Sequence, residues 1–220
     1  MHMAEKDKYF HDQIEVRANS ARTGYSTTAR IRCPACADLR KKDADRSMSV
    51  TFFKVVKDYG VAASRKYFQK LRSEADCVGF PFYNNGEVYA VKYRTSGGEK
   101  AHTQEGTGGA QSFFGIERVA ADADTLVICE GEIDQLSLAS AGVLNAISVP
   151  NGAPMKPSEG EVDPNNDRKY GFVWAAKDLL KQVDKVVLAV DIDGPGQALA
   201  EELARRIGKI KCWQVEWPEG

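Results

Sequence analysis

The chain has 220 residues, 43% hydrophobic and 28% charged, which is enough apolar material for one large core or two small ones. No run approaches the roughly 18 apolar residues of a membrane-spanning helix. The five cysteines, of which only Cys33 and Cys36 are near neighbours, suit a reducing compartment such as the cytoplasm rather than a disulfide framework. The net charge of −1 conceals an asymmetry: residues 1–72 hold 16 Lys and Arg against 8 Asp and Glu, and residues 73–220 hold 14 against 23. A basic front and an acidic back suggest a polyanion grip feeding a cation-holding centre, although two surfaces that merely attract would read the same from charge alone.

In chain order, the first thirty or so residues are polar and weakly periodic, and a CxxC knuckle (Cys33, Cys36) then opens a highly charged run. Phe52, Val55, Val56 and Tyr59, then Tyr67, Phe68 and Leu71, recur at helical spacings on either side of Gly60, predicting one or two short amphipathic helices. "GFPFY" and "EVYAVKYR" flank Asn84-Asn85-Gly86, the signature of a β-hairpin. A Gly-rich stretch, residues 95–111, reads as a flexible loop. Beyond Asp122 strands and helices alternate: "TLVICE" a strand, "IDQLSLASAG" a helix closed by Gly142, "NAISVP" a strand, then a loop to about residue 168. "FVWAAKDLLKQV" reads as helix, "KVVLAVDID" as a buried strand, "GPGQALAEELARRIG" as a helix with Pro195 in its first turn, and "KCWQVEWP" as a last strand. Such alternation implies a parallel sheet covered on both faces. Three regions are expected: a basic segment over 1–50, a smaller α+β basic subdomain over 51–120, and an α/β domain over 121–220.

Two of these strands end in acid. "TLVIC" runs into Glu130, with Glu132 and Asp134 close behind, and "KVVLAV" into Asp191-Ile192-Asp193. Open parallel sheets place ligands at the carboxyl ends of their strands. Residues two apart in extended chain share a side, so Asp191 and Asp193 can face one point while Ile192 packs the other way. Three carboxylates brought together repel, by roughly 4 kcal/mol for two charges about 4 Å apart at an effective dielectric of 20. A divalent cation removes that penalty, and Mg²⁺ (with Mn²⁺ able to stand in) favours carboxylates together with water and phosphate oxygens. The bland alternative, acids placed at helix N-termini to suit the macrodipole, accounts for either cluster alone more easily than for both.

"CEGEIDQLSLASAG" and "VVLAVDIDGPGQALAEELARRIG" resemble the two acidic motifs of the TOPRIM domain shared by primases, topoisomerases and some nucleases. The likeness is closest to the primase half of phage primase-helicases and the Twinkle-like family. "FPFYNNGEVYAVKYR", "QSFFGIERV", "NAISVPNGAP" and "KCWQVEWPEG" follow in that family's usual order. It covers roughly residues 75–220. The resemblance implies a Rossmann-like TOPRIM fold preceded by a smaller subdomain, and synthesis of short RNA primers from ribonucleoside triphosphates on single-stranded DNA. Glu130 would take the direct catalytic or metal-positioning role, Asp191 and Asp193 would bind metal, and Asp134 would support the site from the first helical turn. A basic strand and loop, Lys92, Arg94 and Lys100, would touch nucleotide or template, against the alternative of a solvated strand face. His102 is assigned nothing.

The pattern departs from the family in two places. Cys33 and Cys36 resemble half of a template-reading zinc ribbon, but a closed zinc site needs four ligands, and no second knuckle follows, which favours a shortened, metal-free remnant over bound zinc. No GxxxxGK[ST] stretch occurs, so a helicase motor would have to come from a partner or from further chain beyond "WPEG". The acids alone do not separate a primase from a TOPRIM nuclease; the basic hairpin and loop favour primase. A non-catalytic DNA-binding or regulatory protein is the third reading.

Overall fold

The structure, a computed structural model, describes residues 55–106 and 111–217. Cys33 and Cys36, the zinc candidates, lie outside the described residues, as does the whole of the expected 1–50 basic segment. The chain forms two compact units: one holds the described residues up to Pro81 with Val91–Gly106, the other holds Phe82–Ala90 with the described residues from 111 onward.

The first sheet has the order β1-β2-β3-β4, from β1 (Ala62–Phe68), β2 (Ser73–Asn84), β3 (Glu87–Thr95) and β4 (His102–Gly106). The hairpin turn between β2 and β3 falls on Asn85 and Gly86, both with positive φ (51° and 82°), as a two-residue turn of this type demands. Two expectations need correction here. Among the described residues of this stretch only 55–58 are helical; Gly60, at φ 70°, turns the chain, and the second set of helical spacings belongs to strand β1 and, for Leu71, the turn after it, β1 pairing antiparallel with β2 from Ala62↔Gly79 to Phe68↔Ser73. Pairing fixes a period of two, so Phe68 enters a cluster with Cys77, Tyr93 and Ala101 while Tyr67 stays exposed. The expected 95–111 loop also contains β4, whose approach is set by Thr95, its amide donating to the Ala101 carbonyl and its hydroxyl to Glu99 O.

The second sheet is parallel, in the order β6-β5-β7-β8, from β5 (Thr125–Cys129), β6 (Ala146–Ser148), β7 (Lys185–Ala189) and β8 (Cys212–Gln214). Its helices are α1 (Glu132–Ser140), the short α2 (Gly171–Ala175) and α3 (Lys177–Gln182), and α4 (Gly194–Ile207). The single helix expected over "FVWAAKDLLKQV" is thus two, parted at Ala176. From β5 the chain moves one way to β6, and from β7 it moves the other way to β8. With the right-handed crossovers general to such units, that reversal puts α1 on one face and α2–α4 on the other. The core agrees. Leu126 and Ile128 of β5 and Val186 and Leu188 of β7 join Val173, Leu180, Leu199 and Leu203 in one cluster, while the buried Leu136 and Ala139 of α1 lie outside it. Among the described residues, no helix is long and apolar enough to cross a membrane.

Candidate active site

The change of direction in strand order falls between β5 and β7, and a crevice opens outside the strand ends at such a point. Cys129 pairs with Ala189, so Glu130 and Asp191 leave adjacent strands at the same edge. Their proximity is registered in Glu130 itself. Burial raises its carboxyl above the usual carboxylate range, Asp191, Asp193 and Asp134 raise it further, and the backbone N–H of Ala153 works against them. Glu130 Oε2 is enclosed without any hydrogen-bond partner. A buried carboxylate oxygen with no donor and three acids around it is poorly accommodated by protein alone.

Each acid is set by its local backbone. Gly131 is the N-cap of α1, in extended conformation, and a β-carbon there would come within 2.9 Å of Asp134 Oδ2, so the glycine makes room for that carboxylate to fold back over the turn. Asp193 is the N-cap of α4: its Oδ1 accepts from the Gly196 N–H at 2.8 Å. Asp191 and Asp193 both line a cleft of about 690 Å³, together with Asp134, Leu138 and Trp217. The cleft wall does not include Glu130. Ile192 departs from the expected alternation. Regular strand ends at Ala189, the chain bends, and Ile192 is 74% exposed on the cleft wall rather than packed behind the acids.

Among the described residues, no three His, Cys, Asp or Glu side chains converge as a ready-made metal cage. The all-oxygen donor set and the orphaned Glu130 Oε2 nevertheless suit a hard cation that takes one or two carboxylates and keeps its water. Cys129, at the same edge, is not a nucleophile: it is fully buried, burial pushes its thiol far up, and its Sγ donates to the Ile147 carbonyl.

Sequence reasoning missed a second group of residues, at the end of α4 opposite the one that Asp193 caps. The loop after β6 is tied to α4 by a buried ionic network. Glu202 accepts from the amide (2.7 Å) and hydroxyl (2.8 Å) of Ser158 and from Arg205 and Arg206. Arg206 reaches Asp167 at 2.6 Å and lies over the Tyr170 ring, 3.7 Å from its centroid. Burial alone would raise Glu202, but Ser158 and Arg206 outweigh it and hold the carboxyl below its ordinary value. The one sequence sign of this was Glu202 on the apolar stripe of α4, three residues from Leu199 and one before Leu203. The aromatic Trp217, whose indole donates to the Val190 carbonyl at 2.8 Å, was likewise read only as part of a strand.

In the other unit, Lys92 and Arg94 are half-buried on β3, opposite the core face that carries Tyr93. Lys100 is exposed, and its carbonyl accepts from Lys70. Neighbouring cations are neutralised: Arg65 by Glu74 and Asp76, Lys66 by Glu105, Lys70 by Glu99. Arg94 and Lys100 have no carboxylate partner among the described residues.

The family model for the Toprim domain matches residues 124–216, which span both acidic strand ends. This is a Toprim-domain protein. It is related to primase and Twinkle-like homologues. The chain is 39% identical over 155 residues to the Twinkle homolog protein, chloroplastic/mitochondrial, of Arabidopsis thaliana, a match covering 70% of this chain and 21% of that one. It is 37% identical over 155 residues to the Primase homolog protein of the same plant, covering 70% and 45%. The chain therefore spans less than half the length of these curated relatives. Its fold is similar to the primase fragment of the bacteriophage T7 primase-helicase protein, with a TM-score of 0.57 and 18% identity over 75% of this chain and 60% of that one. The Toprim fold and the antiparallel sheet preceding it in sequence are thereby established.

Proposed function

We propose that this Toprim-domain protein is a primase-type nucleotidyltransferase that makes short RNA primers on single-stranded DNA. The observation that carries this reading is the half-buried Glu130, one oxygen without a partner, surrounded by Asp134, Asp191 and Asp193 at the point where strand order reverses. Glu130, Asp191 and Asp193 would hold Mg²⁺ (or Mn²⁺), with Asp134 supporting them. When bound, the cation neutralises charge on the triphosphate and on the attacking oxygen. The reaction joins a ribonucleotide 3′-oxygen to the α-phosphorus of a second nucleotide, breaks the bond to the β-phosphate bridge and releases pyrophosphate; the hydroxyl proton passes to a nearby base, for which Glu130 is our candidate. Arg94 and Lys100, which have no carboxylate partner among the described residues, and Lys92, two residues before Arg94 on β3, are assigned to template or triphosphate phosphates. A helicase is the partner we assign, and a reducing compartment the setting; the cytoplasm and the organelles named for the Twinkle homolog both meet that condition.

The deciding experiment incubates the chain with single-stranded templates, labelled ribonucleotides and Mg²⁺. Short oligoribonucleotides are the expected product. Shortened template would establish a nuclease instead, and no product with retained DNA binding would establish a binding protein.

A further inference from the structure

The loop from Val149 to Asp167 has no regular structure, yet its course is fixed at both ends of its second half, and both attachments converge on the last turns of α4. Ser158 donates its amide and hydroxyl to Glu202, and its carbonyl accepts from Arg205 at 2.7 Å. Gly160 O also accepts from Arg205. Nine residues after Ser158, Asp167 takes two bonds from Arg206, at 2.6 and 3.2 Å, and a third from the Trp174 indole at 2.9 Å. Arg206 in turn is held to Glu202 at 2.6 Å and to that residue's carbonyl at 2.8 Å. Glu202 is wholly buried and Arg206 is 4% exposed. Burying three charges so completely is costly, and a well-packed apolar set would serve stability as well or better. An arrangement of this kind is better explained by what it holds in place.

What it holds lies at both ends of one path. The N-terminus of α4 carries Asp193 and sits against Asp191, whose backbone packs on Gly196. The loop carries Ala153, whose N–H faces the Glu130 carboxyl and whose side chain packs on the core. We propose that Arg206 is a positioning residue for the acidic site: by locking Asp167 and, through Glu202, Ser158 to α4, it fixes the loop that braces Glu130 relative to the helix that bears the aspartate pair. The inference rests on the metal-site reading of the acids given above. Partners that orient ligating carboxylates typically change metal affinity by about 10–100-fold when removed.

The test uses the full chain and Mn²⁺ as probe, with binding followed by the loss of the free-ion signal in electron paramagnetic resonance, and backbone amide exchange followed over residues 150–158. The variants are Arg206→Lys, which keeps the charge but loses the fork, and Asp167→Ala, which leaves the Arg206–Glu202 pair intact should Arg206→Lys fail to fold. Leu180→Ala, a core truncation on α3, controls for lost stability. The expected result is Mn²⁺ binding weakened roughly tenfold or more in Arg206→Lys and Asp167→Ala, with faster exchange in the loop, and neither effect in Leu180→Ala. Wild-type affinity and exchange in Asp167→Ala, or equal weakening in Leu180→Ala, would overturn the positioning role while leaving the metal site standing. A wild-type chain that binds no Mn²⁺ would remove both.

Discussion

Gly196 packs so tightly on Asp191 that a β-carbon on the glycine would lie 2.8 Å from the aspartate's carbonyl carbon and 2.9 Å from its nitrogen. Backbone, not a flexible side-chain tip, stands in the way. Gly196→Ala must therefore displace the chain that carries Asp191, at about 1–3 kcal/mol in stability. Mg²⁺-dependent product formation should be lost with it. Gly194, two residues earlier, has open space around the same position, and Gly194→Ala should resemble wild type in urea denaturation and in activity. Equal behaviour of the two alanine variants would contradict the close approach at Asp191.

Glu130 supplies a prediction in which stability and activity part company. Its folded-state carboxyl is raised by burial, then by Asp191, Asp193 and Asp134, so its contribution is fully present below the ordinary carboxylate value and is lost as pH climbs through the raised one. Near neutral pH the ionised side chain thus weighs against the fold unless a cation offsets it. Glu130→Gln should melt a few degrees above wild type at pH 8 without divalent ions, and the gap should close at pH 4 or on adding Mg²⁺ to wild type. Activity should fall by roughly 10²-fold or more in Glu130→Gln and Asp191→Asn alike. Undiminished product from either variant would sink the primase assignment.

The acids were legible in the sequence because they lie just beyond apolar strands in a βα pattern, where topology dictates that side chains emerge at the sheet edge. The hairpin at Asn85-Gly86 was legible for a similar reason: only two residues decide it. β1 was not. Tyr67, Phe68 and Leu71 fit a helical period by coincidence, and the pairing with β2 that overrides it comes from contacts no local window contains. Ala153, Ser158 and Asp167 were out of reach for a related reason. Their partners, Glu130, Glu202 and Arg206, are 23, 44 and 39 residues away, and nothing in a loop's composition announces which helix it will meet. Ile192 failed more simply, since the extended conformation assumed for it ends three residues earlier.

On the first sheet, the pairing of cations separates those free to meet phosphate from those already neutralised. Arg94→Ala and Lys100→Ala should each weaken single-stranded DNA or triphosphate binding and lower the salt slope of log K by about 1. Arg65→Ala, which removes a charge already shared by Glu74 and Asp76, should change the slope little. Fluorescence anisotropy of a labelled oligonucleotide between low and moderate salt measures all three. A slope unaltered by Arg94→Ala and Lys100→Ala would place the nucleic-acid contact elsewhere.

The buried network makes the opposite pH prediction from Glu130. Burial pushes Asp167 and Glu202 up, but their hydrogen bonds and Arg206 more than reverse it, leaving both carboxyls below their ordinary range. The unfolded chain therefore takes up protons first, at about pH 4, and the folded chain only at lower pH. Their stabilisation is complete above that range and drains away as pH falls through it. Glu202→Gln removes the acceptor charge and leaves Arg206 buried with Asp167 alone, a change that should cost about 3–5 kcal/mol at pH 7. Because the wild-type network weakens in acid and the variant has less to lose, the two urea midpoints should converge between pH 6 and pH 3. Parallel midpoints across that interval would mean that Glu202 takes up its proton at the same pH in the folded and unfolded chain, so that its charge contributes nothing to tying the loop to α4.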